Sequence, residues 1–401
     1  MKRCAAGAAA AGGVFWAVVL LCVGGVRAQS VFNLNFLGQR VASGDARAIG
    51  LGGSVQLAGD SLGVLQHNPA MLAYINRVTF AASVYAGTAL NQSRDLSDKE
   101  GGIKFTSLAI GFTLTRHINL GVAYHARYDA TSGFTTPRTT PSGDAYTERL
   151  TRTGGVRSFP FTVAASLGRV ARVGTYVSVE TGSIEDRWDI DFASLANIDA
   201  FSLQSRTMSG TGYGAGVDLS LPGNLAVSGT WNAEIRYDTD VHERNTNSSA
   251  NGSYTETTVL PERWTGSVRW GLGGGRSLHA GGTYSDFTRF EGLAFPRERL
   301  RSEWIAALGY EQPGLIGPLP LRFGASIGRL PYTLPAGKTV SRFGISAGTT
   351  WIPPGRQARL DFALEFAQIG STSTNGFETR SFRFYLGFSG GERWRHHRED
   401  L

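Results

Sequence analysis

A two-residue alternation of apolar and polar side chains runs through the second half of the chain. In residues 359–367 every second position is apolar, and Arg359, Asp361 and Glu365 occupy positions between them. Residues 381–389 repeat the alternation with Phe382, Phe384, Leu386 and Phe388. Successive side chains of a β-strand point to opposite faces, so these segments predict strands with one apolar face. Sandwiches and membrane barrels both alternate, and this pattern alone leaves both open.

Residues 1–28 have the composition of a secretory signal peptide. Lys2 and Arg3 precede the apolar run 14–23, and Val26-Arg27-Ala28 offers small residues for cleavage. The apolar run is short for a transmembrane helix, and no later stretch is longer. Because an exported chain of this kind can span a membrane only as a closed barrel, the signal favours a barrel.

The composition excludes several classes of function. Both cysteines, Cys4 and Cys22, lie in the predicted signal peptide, so we expect no disulfide, thiolate nucleophile or cysteine metal site after cleavage. Loss of Lys2, Arg3 and Arg27 lowers the formal net charge from +7 to +4. No basic cluster stands out, and we therefore expect no nucleic-acid partner.

From Val78 onward the sequence predicts about fourteen strands. They begin near Val78, Gly102, Asn119, Ser158, Arg172, Ser205, Asn224, Glu262, Ser277, Glu303, Leu321, Ser341, Ala358 and Ser381. Long polar connections, such as 130–148, 186–203 and 240–254, alternate with short turns rich in glycine and proline. Outer-membrane barrels have this asymmetry. We therefore predict an all-β fold, a transmembrane antiparallel β-barrel over residues 78–390, with a periplasmic C-terminal tail at 391–401.

Aromatic and charged residues indicate how the strands face. Trp270, Tyr310, Trp351 and Trp394 are predicted to lie at the interface near the short turns, and Tyr128, Trp188, Tyr237 and Tyr284 at the opposite interface. A charge facing lipid costs about 2–4 kcal/mol near the bilayer centre, so charged strand residues should face the lumen. These are Arg127, Glu180, Glu234, Arg236, Arg263, Arg269, Arg322, Arg342, Arg359, Asp361, Glu365 and Arg383. Their mixed signs predict an ion-pair network.

Residues 29–77 are rich in glycine and alanine and show little alternation. A segment of this length without a sheet of its own is expected to fold inside the barrel as an N-terminal plug, or hatch. Asn68 can bond its own backbone, Pro69 fixes φ, and Gly52-Gly53 permit close packing against the wall.

The segments 43–54 (SGDARAIGLGGS) and 68–72 (NPAML) resemble the plug of the FadL-like outer-membrane transport family and of related PorV/PorQ-type barrels. That pattern has a Gly-Met-Gly-Gly-Ala run and ends in Asn-Pro-Ala-Gly-Leu. Here Leu51 replaces the methionine, Ser54 the alanine and Met71 the final glycine. The matching plug residues are Gly50, Gly52, Gly53, Asn68, Pro69 and Ala70.

The resemblance implies a fourteen-stranded barrel that admits hydrophobic small molecules, of fatty-acid or hydrocarbon type, across the bacterial outer membrane. In the family a strand kink opens a sideways exit, and Pro160 and Pro261 are the candidate kinks here. Two alternatives stay open: a PorV-like partner or shuttle for secreted proteins, and a general hydrated porin. Expected partners are membrane lipid, a hydrophobic ligand and, under the first alternative, secretion-system proteins.

Two Gly-x-Ser-x-Gly matches, 324–328 and 344–348, lie within alternating segments rather than at a strand–helix elbow. They are interpreted as small residues that leave room for the plug. His396-His397 is interpreted as a solvated tail. We therefore expect no enzymatic activity, catalytic residue, cofactor or metal.

Overall fold

The computed structural model describes residues 30–34, 36–41, 45–53, 68–93, 97–193, 198–246, 251–293, 297–316, 319–334, 337–353 and 358–392. Fourteen antiparallel strands form its wall, and three of them are interrupted. They are β1 Val78–Ser93, β2 Ser97–Thr113, β3 Ile118–Asp129 and Ser132–Thr139, β4 Ala145–Leu167, β5 Ala171–Phe192, β6 Ala200–Leu221, β7 Leu225–Asn232 and Ile235–Asn245, β8 Gly252–Leu260 and Arg263–Gly273, β9 Arg276–Asp286, β10 Ser302–Ile316, β11 Leu319–Thr333, β12 Thr339–Trp351, β13 Ala358–Ser371 and β14 Phe377–Glu392.

Each strand pairs with its neighbours in sequence, and β14 pairs with β1 from Phe377–Ser93 to Glu392–Val78. This last ladder closes the sheet, so that the wall has no edge strand. Closure lets backbone donors and acceptors bond within the sheet, as a bilayer requires. The predicted fourteen-stranded transmembrane barrel is confirmed.

The remaining described elements are short. Before the wall lie the 3₁₀ turns Val31–Leu34 and Pro69–Tyr74, the two-residue strand Gln39–Arg40 and helix α1, Ala46–Gly50. Connections of the wall contain the 3₁₀ turns Phe287–Arg289 and Arg297–Arg299 and helix α2, Thr372–Asn375. No helix among the described residues is both long and apolar enough to cross a membrane.

The outward face of the wall is apolar and the inward face is polar. Val177 and Leu308, for example, point outward and are 56% and 66% exposed. On the other face Arg359, Asp361 and Glu365 are buried, as the alternation predicts. The predicted ion pairs form there, with nitrogen–oxygen distances of 2.9 Å for Arg127–Glu180 and 2.7 Å for Arg342–Glu365.

Two predicted inward charges, Glu234 and Arg236, are exposed. β7 is interrupted between Asn232 and Ile235, and β8 between Leu260 and Arg263. Before the break in β7 the even-numbered residues are buried, and after it the odd-numbered residues are buried. Such an irregularity shifts the register by one position, which moves side chains to the opposite face.

Much of the sequence predicted as long polar loops belongs to strands. The β4–β5 ladder continues to Tyr146–Phe192, and β4 has 23 residues. About 9–11 residues are enough to cross a bilayer, so these strands extend well beyond it. Their polarity reflects exposure to water rather than irregular backbone.

Two predictions on position, for the aromatic residues and for the end of the barrel, are corrected here, and a third group lies outside the described residues. Tyr128 and Tyr237 are buried inside the barrel, whereas Trp270, Trp351, Trp188 and Tyr284 are exposed. β14 continues to Glu392, two residues beyond the predicted boundary at 390. The predicted signal peptide, Trp394 and His396-His397 lie outside the described residues.

The closed wall predicts heat-modifiable migration. In detergent, the unboiled protein should migrate faster on a denaturing gel than the boiled protein, because the closed ladder resists unfolding by detergent. Circular dichroism of the unboiled sample should show strand and little helix. Identical migration of the two samples, or a spectrum dominated by helix, would contradict a closed barrel.

Candidate functional site

The candidate site lies between the wall and the described residues that precede it, here called the N-terminal segment (30–34, 36–41, 45–53 and 68–77). We call the end of the barrel with the connections 140–144, 193–199 and 287–301 the loop end, and the other the turn end. At the loop end, Ser30 Oγ donates to Thr379 Oγ1 at 2.9 Å, and Tyr332 donates to the carbonyl of Phe32 at 3.2 Å. The segment therefore contacts the inward face there.

Arg152 of β4 fixes the same part of the segment. Its Nη1 donates to the carbonyl oxygens of Leu34 at 2.7 Å and Phe36 at 3.1 Å. Its other nitrogens bind Asp186, which also pairs with Arg206 at 2.6 Å. A buried guanidinium thus satisfies carbonyls that have no ladder of their own.

Helix α1 packs against strands β11 to β14. Asp45 caps the helix by accepting from the Arg47 backbone N–H at 2.9 Å, and Arg47 pairs with Glu311 at 3.2 Å. The Gly52 N–H donates to Ser346 Oγ at 3.2 Å. A Cβ built on Gly324 would lie 2.1 Å from the Gly52 nitrogen. Gly324, Ser346 and Gly348 of the two Gly-x-Ser-x-Gly matches therefore meet the segment as small wall residues.

Residues 50, 52 and 53 differ in what they require. Gly52 and Gly53 have φ values of +97° and +84°, which a residue with a Cβ rarely adopts. A Cβ on Gly50 would lie 3.2 Å from Gly348 Cα. Gly52 and Gly53 need glycine for their backbone conformation, and Gly50 needs it for close approach to the wall.

The Asn68-Pro69-Ala70 turn contacts β5 and β6. Asn68 Oδ1 accepts from the Ala70 N–H at 3.0 Å, and its Nδ2 donates to the carbonyl of Val217 at 3.2 Å. A Cβ on Gly216 would lie 2.1 Å from Asn68 Oδ1. Any residue other than glycine at position 216 would therefore overlap this turn.

Tyr74 ends this turn against two charged wall residues. Its hydroxyl donates to Asp218 Oδ2 at 2.6 Å, and the Arg172 guanidinium lies 3.8 Å from its ring centre. Burial, together with the hydrogen bond to Asp218, raises the pKa of Tyr74 to about 12. The hydroxyl therefore stays protonated at neutral pH and remains a donor.

A cavity of about 200 Å³ separates the N-terminal segment from part of the wall. Phe36 and Phe287 bound it towards the loop end, and Gly52, Pro69 and Leu72 bound it towards the turn end. Phe36 also packs on Phe290, with ring centres 4.0 Å apart, in a buried apolar cluster. The cavity is thus covered at the loop end by packed aromatic rings.

Charged side chains line much of this cavity. They are Arg40, Arg127, Arg263, Glu303, Arg329, Arg342 and Arg383. Apolar lining comes from Leu72, Val122, Pro160 and Ile305. The cavity lining is therefore amphipathic rather than uniformly apolar.

The wall is interrupted beside the cavity, between β2 and β3. In the described residues their ladder ends at Ser107–His125, although both strands continue towards the loop end. Beyond it, β3 pairs with the short N-terminal strand through Arg40–Tyr128 and Gln39–Asp129. Lys104 of β2 forms an ion pair with Asp129 of β3 across this interruption, which we call the seam. Ile103 and Phe105, beside the seam, are exposed on the outward face, so the seam lies at the level of the apolar belt.

The two candidate kinks occupy different positions. Pro160 lies in uninterrupted β4 and lines the cavity, and the β3–β4 ladder lacks pairs between Val122–Phe161 and His125–Ser158. Proline has no N–H, which accounts for the gap. Pro261 lies in the break of β8 and does not line the cavity.

Several residues of the site are not evident from sequence. Arg40 lies in the segment that shows little alternation, and Phe287 and Phe290 lie at the start of the long connection that follows β9. The only available signal was the pair of phenylalanines in that loop. In the described part of the chain, no group of three or more His, Cys, Asp or Glu residues could hold a metal ion.

Known structures with this fold are β-barrel channels. A FadL homologue from Pseudomonas aeruginosa aligns with a TM-score of 0.61 at 10% identity, over 88% of this chain and 99% of that one. The toluene transporter TbuX of Ralstonia pickettii aligns at 0.59 and 13%, over 90% and 100%. The toluene transporter TodX of Pseudomonas putida aligns at 0.57 and 14%, over 87% and 98%. The chain therefore has the FadL-like barrel fold that its N-terminal motif predicts.

A family model described as BamG matches residues 15–263. Since the match covers more than half of the sequence, the chain belongs to the BamG family. No curated protein matches the sequence.

The close approach at Gly324 gives a test of the segment's position. Gly324→Val should displace the turn at Gly52, because even a Cβ would overlap its nitrogen. Gly266→Val is the matched control, since nothing lies within 4 Å of a Cβ there. We expect trypsin to cleave at Arg47 about tenfold faster in Gly324→Val, because local opening controls cleavage. Equal rates in two variants that both retain heat-modifiable migration would show that the turn does not pack there.

Proposed function

We propose that this protein is an outer-membrane barrel that admits hydrophobic small molecules, with residues 29–77 acting as a plug. The observation that carries the proposal is the position of the cavity. It contacts the N-terminal segment on one side and His125 to Tyr128, at the seam, on the other. A ligand in this cavity would need only a local separation of strands to reach the membrane.

The seam is the proposed route between cavity and bilayer. No ladder hydrogen bond joins β2 and β3 among the described residues beyond Ser107–His125, so opening it breaks the Lys104–Asp129 ion pair and few backbone bonds. The packed aromatic cluster at the loop end opposes direct passage along the barrel axis. Pro160 adjoins this route, and Pro261 has no proposed role in it. The two relatives described as toluene transporters support a hydrophobic cargo.

A second candidate is the PorV-like partner of secreted proteins. The observation that favours it is the length of β4, β5 and β6, which have 23, 22 and 22 residues and extend beyond the membrane. The hydrated-porin alternative is disfavoured, because the N-terminal segment contacts the inward face at several strands, through Ser30, Gly52 and Asn68. The proposed orientation places the turn end and the C-terminus in the periplasm, as the short turns favour.

Cross-linking the seam tests the transport route. The described residues contain no cysteine, so Lys104→Cys with Asp129→Cys introduces one pair of thiols. A bis-methanethiosulfonate cross-linker can bridge them, because the lysine side chain that joins these positions is longer than a disulfide. Ser228→Cys with Ser267→Cys is the control, because those hydroxyls lie 2.6 Å apart within a continuous ladder. We expect the cross-link at the seam to abolish uptake of toluene or oleate by outer-membrane vesicles, and reductive cleavage of the cross-link to restore it. The cross-linked control should transport normally.

Unchanged uptake through a cross-linked seam would exclude the lateral route. If neither probe enters faster in vesicles with the protein than in vesicles without it, and secreted proteins co-purify with it, the PorV-like function is correct instead.

Deletion of residues 29–73 tests the plug. The variant should still migrate as a folded barrel, and its ion conductance in planar bilayers should rise at least severalfold, because a fourteen-stranded wall is wide enough for a lumen. Conductance equal to that of the full chain would show that the segment does not block the barrel.

A further inference from the structure

The cavity carries more positive than negative charge. Five of the arginines that line it point inward, and they pair with only three glutamates among the described residues. The sixth, Arg329, is paired in register with Trp304 and Ser341 and shares their outward face. Burying a charge without compensation is unfavourable, since the protein interior solvates it poorly. Two positive charges therefore lack a carboxylate partner among the described residues.

The pairing is shared rather than one to one. Glu303 lies 3.3 Å from Arg263 and 4.0 Å from Arg40. Glu365 lies 2.7 Å from Arg342 and 3.5 Å from Arg383. Each of these carboxylates thus serves two guanidinium groups, which leaves one positive charge at each pair.

Two positive charges therefore remain, one at each of these two carboxylates. Arg263 gives independent support, because its side chain is 7% exposed and its Nε has no acceptor among the described residues. Guanidinium N–H donors therefore remain available to a ligand in a cavity that is largely shielded from water.

We propose that the cavity binds a dianionic phosphate group carried by an amphiphile. This rests on the proposed function and names the class of cargo. Guanidinium groups bind phosphate oxygens through paired hydrogen bonds, and phosphate carries nearly two negative charges at neutral pH. A single carboxylate neutralises one of the two charges, and a hydrocarbon neutralises none.

The other side of the cavity accommodates the apolar part of such a ligand. Leu72, Val122, Pro160 and Ile305 line it, and the seam opens from it towards the apolar belt. An amphiphile can therefore place its phosphate among the arginines and its chain along the seam. Free phosphate would use only the first of these surfaces.

Three ligands with the same chain and different head groups test the proposal. Dodecyl phosphate, dodecanoate and dodecanol are titrated into the full protein in a neutral maltoside detergent at pH 7.5, with calorimetry as the readout. We expect dodecyl phosphate to bind at least about tenfold more tightly than dodecanoate, and dodecanol to bind most weakly. At pH 5 the advantage over dodecanoate should shrink, because the second pKa of a phosphate monoester is about 6. Inorganic phosphate serves as the free-anion probe.

Arg40→Gln identifies the site. This change removes a cation without leaving a buried carboxylate unpaired, since Glu303 keeps its pair with Arg263 at 3.3 Å. Dodecyl phosphate should bind about tenfold more weakly to it, with dodecanol unchanged. Arg138→Gln, whose side chain is 56% exposed in a pair with Glu148, is the control and should bind like the parent protein. Heat-modifiable migration verifies that both variants fold.

Each contrary result has a defined meaning. Equal affinity for dodecyl phosphate and dodecanol would refute the phosphate site and leave hydrophobic transport intact. Dodecanoate binding as tightly as dodecyl phosphate would refute a dianionic site, and inorganic phosphate binding as tightly would refute an amphiphile. Binding of none of the four probes would reject the inference, and failure of toluene and oleate uptake would separately reject the proposed function.

Discussion

The hydrogen bonding of the backbone in a medium without water determines this structure. A lipid-facing strand must find all its partners in neighbouring strands, and the β14–β1 ladder meets this requirement by closing the sheet. The seam is the one described place where β2 and β3 stop pairing at the level of the apolar belt. There the edge of β3 bonds to Gln39–Arg40, so a residue pair from the N-terminal segment replaces a wall strand. Any movement of that segment therefore changes the hydrogen bonding of the wall itself.

The inward face is adapted to this segment through backbone-sized gaps. Gly216 and Gly324 leave room for Asn68 and Gly52, where any side chain would overlap. Glycine weakens strands in general, because it packs nothing and is entropically costly to order. In this barrel that cost is offset by contacts that only a bare backbone permits. The residues of the wall and of the N-terminal segment must consequently match in size where they meet.

Sequence predicts the parts of this molecule that repeat. Alternation identified the strand number and the inward position of Arg359 and Glu365, because every strand obeys the same period. It failed at Glu234 and Arg236, where a break between the two parts of β7 changes the face by one residue. A local irregularity leaves no periodic signal, and neither does the pairing of Gln39–Arg40 with β3. The plug motif was readable because glycine and proline constrain the backbone directly, whereas the cavity depends on side chains from many distant strands.

The arginines and the aromatic cluster together restrict what the barrel can carry. A purely apolar molecule gains little beside five guanidinium groups, and a small hydrated ion gains little beneath the packed rings of Phe36 and Phe290. An amphiphile suits both surfaces, because its charged head group can contact the arginines while its apolar chain contacts the apolar side of the cavity. The seam then has a physical rationale. It lets an apolar chain remain in an apolar medium while the charged group exchanges water for arginine, so that neither end of the molecule has to cross an environment that excludes it.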